Sequence, residues 1–156
     1  MDLAEELKKI SLFQRLNQQD LANVASVTRE LTLTNGEVLF REGEVGDEAF
    51  VIVLGTLKLE KKSRNGISEE LSILGSGSYV GEVGLVTSDH KHVFTATAME
   101  RSTVIGFHQS DLDALSENHP EVGRDIYKAL SCGLARRLNL IAAEASDFKS
   151  AALHHS

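Results

Sequence analysis

The chain has 156 residues with a single cysteine, and its 16 basic side chains against 23 acidic ones leave a formal charge of −7. That balance repels a polyanion unless the cations gather in one patch, so no direct nucleic-acid partner is expected. Cys132 has no second cysteine to pair with, no stretch approaches the roughly 18 apolar residues of a membrane span, and the length suits one cytoplasmic domain with its own core.

At the N-terminus, Leu3, Leu7 and Ile10 share one helical face among charges, a layout unlike that of a secretory leader. Asn17 is placed to cap a second helix, with Asp20 three residues on and Leu21, Val24 and Ala25 at helical spacing. Residues 1–34 therefore read as a helical segment. From Asn35-Gly36 the period changes: Val38 and Phe40, then Phe50, Ile52 and Leu54, then Leu57 and Leu59 follow strand patterns punctuated by glycines. Short strands between glycine turns predict a sandwich or barrel over 35–109. Ser63-Arg64-Asn65-Gly66 carries an Asn-Gly pair that accepts positive φ in a tight hairpin. Further strands are expected at 94–98 and 103–107.

Helical spacing returns over 110–147. Ser110 with Asp113 has capping-box form, and Pro120 suits the first turn of a long helix along which Val122, Ile126, Leu130, Leu134, Leu138 and Ile141 recur every three or four residues. Extended to about Asp147, that helix would span roughly 40 Å. Its length predicts a homodimer through residues 120–142, in the manner of a coiled coil; the alternative is a stripe folded back onto the sandwich. Residues 148–156 are left as a tail, in which His154 and His155 carry no spacing logic.

The stretch GEVGLVTSDHKHVFTATA (81–98) has the form of a backbone cradle for a phosphate, with Glu82 directly behind Gly81. Free N–H groups at the start of a short helix, at its positive dipole end, suit an anion. A cation normally completes such a cradle.

Three blocks, GEVLFREGEVGDEAFVIVLGTLKL (36–59), LGSGSYVGEVGL (74–85) and FTATAMERSTVIGFHQSDLDAL (94–115), together resemble the cyclic nucleotide-binding domain family, the sensory module of catabolite-activator and Fnr-type regulators, cyclic-nucleotide-dependent kinases and ion channels. The resemblance runs from about Leu12 to Ala142. It implies a mainly β fold, a jelly-roll-type double-stranded β-helix or β-roll with N-terminal helices, a phosphate-binding cassette over 75–97 and a long C-terminal helix that moves over the ligand. It implies a ribose contact for Glu82, main-chain N–H donors from Gly81, Glu82, Val83 and Gly84, and phosphate contacts completed by Thr95 and Ala96.

The same pattern places an arginine about nine or ten positions after the glutamate, just before a small-Ala-Thr run. Here Phe94 precedes Thr95-Ala96-Thr97, Val93 stands where a proline is common, and the loop is longer by about two residues. Counted from Glu82, Lys91 or His92 falls where the cation belongs. Either Lys91, helped by His90 or His92, supplies the charge, or Phe94 fills the pocket and the fold works as a ligand-independent interaction and dimerisation module.

The remaining candidates have plainer readings. His90 and His92 hint at a cupin-type metal barrel, but that family expects a glutamate four or five residues beyond the second histidine, where Ala96 and Thr97 stand, so exposed loop histidines and no metal are expected. Arg136 and Arg137 with Lys128 read as solvated surface, Cys132 as inert, and Asp111 and Asp113 as helix-start charges. The expectation is a sensory domain, not an enzyme and without a cofactor. Its ligand would be a cyclic nucleotide or another phosphate-bearing anion. With few residues after Ala142, output is expected to pass through the final helix to a protein partner or dimer mate, without membrane or nucleic-acid contact.

Overall fold

Two four-stranded antiparallel sheets face one another, and helices close one side of the pair. The computed structural model describes residues 2–154, so His155 lies outside the described residues. In chain order the elements are α1 (Leu3–Lys8), a 3₁₀ turn (Ser11–Phe13), α2 (Gln18–Ser26), β1 (Arg29–Leu33), β2 (Val38–Phe40), β3 (Glu48–Leu54), β4 (Leu57–Lys62), β5 (Ser68–Leu74), β6 (Tyr79–Val80), α3 (Glu82–Val86), β7 (Thr95–Ala98), β8 (Ser102–His108), α4 (Gln109–Asn118) and α5 (Pro120–His154). One sheet has the order β1-β8-β3-β6 and the other β2-β7-β4-β5. This is the mainly β, jelly-roll-type fold with N-terminal helices and a long C-terminal helix that the resemblance implied.

The two faces of the first sheet explain why β3 reads as a nearly unbroken apolar run. Phe50 and Ile52 point into the core between the sheets with Phe40, Leu57, Val80 and Val104. Val51 points the other way, with Ile105 and Phe107, into a second core filled by Leu7, Phe13, Leu21, Ile126 and Leu130 from the helices. Phe13 meets Phe107 edge to face at 5.9 Å between ring centres. Each fully buried side chain of this size contributes about 1.5–3 kcal/mol, so the N-terminal helices are held by packing and not by their short hydrogen-bonded spans.

The Asn17 cap is present, its side chain accepting the Asp20 N–H at 2.8 Å. Three expectations are corrected. The segment read as helical through residue 34 ends in β1, because Arg29–Leu33 pairs in register with β8 despite its charged first residues. In the β4–β5 hairpin Gly66 alone of the Asn-Gly pair has positive φ, and Asn65 instead offers its side-chain oxygen to the Ile67 N–H. Ser110 lies inside α4 and does not cap it; the helix starts one residue earlier, where the Gln109 N–H donates to the Asp47 carbonyl at 2.9 Å.

Pro120 opens α5 as expected. Val122, Ile126 and Leu130 are buried against the helix-side core, whereas Leu138, Ile141 and Phe148 are exposed. The helix continues through most of the segment read as a tail, and its 35 residues span about 52 Å.

Candidate functional site

The cassette begins where β6 pairs with the edge of β3, Val80 opposite Phe50 and Tyr79 opposite Val51. The chain then turns through Gly81 at φ +82° and enters α3 at Glu82. A Cβ on Gly81 would stand 2.9 Å from the Glu48 carbonyl oxygen, and one on Gly84 2.7 Å from that of Gly46. Both positions therefore require glycine, the first for conformation and space and the second for space alone. The short helical turn expected behind Gly81 is present.

Glu82 is 4% exposed. Its carboxylate accepts a hydrogen bond from Nη1 of Arg137 on α5, and the same guanidinium lies over the Tyr79 ring, 5.3 Å from its centre. Burial pushes the Tyr79 phenol above its ordinary range. The reading of Arg137 as solvated surface is thus corrected: a buried carboxylate draws it inward, because a charge removed from water needs a charged partner. Arg137 was legible in principle, since it continues the 130, 134, 137, 141 spacing of the apolar stripe.

The reading of both histidines as exposed loop residues is corrected at His92, which is 6% exposed. Its ring stacks on Phe40 with centres 3.9 Å apart and planes 13° from parallel. Main-chain bonds lock it there: the His92 N–H donates to Glu44, the Gly43 N–H donates to His92 and the Gly46 N–H donates to His90. Burial holds the imidazole below its ordinary pKa, and Nδ1 has no hydrogen-bond partner. His92 is accordingly a neutral ring and not the substitute cation. His90 turns back on α3, with Nδ1 2.9 Å from the Gly84 carbonyl oxygen.

Gly81, Glu82, Val83, His92 and Phe94 do come together, around a cavity shared with Phe40 and Leu59. Its volume is about 20 Å³, room for roughly one water molecule. Phe94 packs half-buried against the inter-sheet core. Lys91, Thr95 and Ala96 do not line the cavity. Lys91 is exposed and its backbone bridges to Val45; Thr95 Oγ1 accepts the Glu42 N–H at 2.9 Å; Ala96 is buried in β7 opposite Phe40 and Leu59.

A β-roll with a glycine-walled cassette turn, closed by a long helix that reaches back to the cassette glutamate, defines a regulatory-type nucleotide-binding fold. The family model of the cyclic nucleotide-binding domain matches residues 30–119, and the chain belongs to that family. It is 29% identical over 119 residues to a cyclic nucleotide-gated potassium channel of Rhizobium etli, covering 76% of this chain and 32% of the channel. It is 22% identical over 138 residues to a CRP-like cAMP-activated global transcriptional regulator of Mycobacterium tuberculosis, covering 88% of this chain and 61% of the regulator. The chain thus spans about a third to three-fifths of these relatives. Among solved structures, the N-terminal domain of a transcriptional regulator from Streptomyces coelicolor superposes with a TM-score of 0.74 at 26% identity, over 87% of this chain and 94% of that one. No helix among the described residues is long and apolar enough to cross a membrane.

Proposed function

We propose that this domain is a regulatory module, not an enzyme, whose cassette no longer takes cyclic AMP and whose state is communicated to α5 through the contact between Glu82 and Arg137. One observation carries the reading: the carboxylate that would bind a ribose already holds a guanidinium from the C-terminal helix, beside a cavity of about 20 Å³. Small-molecule sites are typically at least about 300 Å³, so a nucleotide enters only if Phe94 or Arg137 withdraws. Phe94 also removes the clamp on the phosphate. A charge-assisted hydrogen bond of about 1.5–3 kcal/mol is lost, which weakens binding roughly ten- to over a hundredfold.

Anything that displaces Arg137 from Glu82 favours a second position of α5, a population shift between two arrangements of the helix. The helix passes that shift to a second copy of this chain and to a protein partner. Leu134, Leu138, Ile141, Ala145 and Phe148 follow one another at alternating steps of four and three, the seam of a two-stranded coiled coil. Most of its large members are exposed.

The test is calorimetric titration of cyclic AMP, cyclic GMP and cyclic dinucleotides into the wild type and Phe94→Arg. The wild type is expected to stay silent up to about 1 mM and the variant to gain binding. Micromolar binding of cyclic AMP by the wild type overturns the reading.

A further inference from the structure

We infer that Asp20, His119 and Glu121 form a site for a divalent d-block cation such as zinc, where α2 meets the root of α5. Each offers one donor atom, all within 4.8 Å of one another, with His119 Nδ1 3.7 Å from Glu121 Oε1. The three come from separate elements: Asp20 is the third residue of α2, His119 caps the C-terminus of α4, and Glu121 is the second residue of α5. Local hydrogen bonds hold them in place, the Asp20 N–H on the Asn17 side chain, the His119 N–H on the Leu115 carbonyl and the Val122 N–H on the His119 carbonyl.

The cluster is more than exposed acidity, because Asp20 is 4% exposed and its carboxylate donor atom lies within 4.8 Å of those of His119 and Glu121 that could share an ion with it. Two carboxylates in contact need a proton or a cation between them.

Zinc bonds oxygen and nitrogen at about 2.0–2.2 Å, so donors around one ion sit roughly 3.3–3.6 Å apart. The present cluster closes to that size by about 1 Å of side-chain rotation. His119 and Glu121 are half-exposed and able to rotate, and their open side admits water as a further ligand. One imidazole with two carboxylates suits zinc or manganese better than a soft, thiolate-seeking ion. Bound there, the ion ties the N-terminal helices to the first turn of α5. The inference is independent of the cassette reading. The long sequence separation between Asp20 and His119 hides the site from motif inspection.

The experiment titrates Zn²⁺ into the chelator-treated full chain near pH 7.5, followed by calorimetry and thermal melting, with Co²⁺ absorption as a second readout. One site is expected in the wild type, weakened about tenfold or more in both Asp20→Asn and His119→Gln. It should be unchanged in His90→Ala and in the double variant His154→Ala, His155→Ala. The partly exposed His119 serves as the control for folding, because its replacement leaves the core intact. Absence of binding up to about 1 mM overturns the inference. So does binding that survives both Asp20→Asn and His119→Gln and disappears with the C-terminal histidines.

Discussion

His92 illustrates how one side chain can exchange a chemical role for a structural one. Its neutral ring is part of the wall, so protonation opposes folding. A histidine with a lowered folded pKa binds fewer protons folded than unfolded. Its contribution is complete above the unfolded value of about 6.5 and is lost as pH falls below it. His108 has the opposite sign, because the hydrogen bond to Asp47 at 2.9 Å raises its pKa. Its contribution is complete below about 6.5 and fades as pH rises through the raised value. Denaturant melts across this range should show that His92→Phe flattens the acid-side loss, whereas His108→Gln removes stability on the acid side. Gly81→Ala should cost about 1–3 kcal/mol in the same assay, since it combines a positive φ with a 2.9 Å approach to the Glu48 carbonyl. That glycine was readable because a turn after a strand needs its conformation. The stack of His92 on Phe40 was not, because nothing in a one-dimensional pattern joins residues so far apart.

Between elements, the contact of α5 with the cassette is the feature with most consequence. Arg137→Ala leaves the Glu82 carboxylate buried without its guanidinium, at an expected cost of about 1–3 kcal/mol. Hydrogen exchange should report faster exchange in residues 81–86 and in α5 beyond residue 134, with β3 and β8 unchanged. Arg137→Lys should recover only part of the loss, because an ammonium cannot both lie flat on Tyr79 and reach Glu82. The apolar period of α5 and the caps of α2 were legible since they depend on residues within a turn or two. β1 was not: Arg29-Glu30-Leu31-Thr32-Leu33 has little strand character alone and is extended because β8 offers it a ladder.

For the molecule as a whole, the glycine turns pointed to a sandwich or barrel, and the family resemblance narrowed that to the β-roll. Positions that demand positive φ or close approach are few, and their intervals are set by strand lengths. The assembly is less directly encoded. With Leu138, Ile141 and Phe148 exposed, sedimentation of the wild type should give the mass of two chains. Leu138→Asp with Ile141→Asp should give that of one, with an unchanged far-ultraviolet spectrum, since neither residue belongs to either core. A wild type that sediments as one chain at high micromolar concentration would remove the second copy from the mechanism.

Arg137 stands midway between Pro120 and His154 along α5. A rigid rod pivoting at its first turn doubles at its tip whatever happens at its midpoint, so a 3 Å retreat of the guanidinium becomes about 6 Å of travel near Leu153. On the proposed function this amounts to gearing: a displacement no larger than one broken ion pair would arrive at the far end as a change in reach.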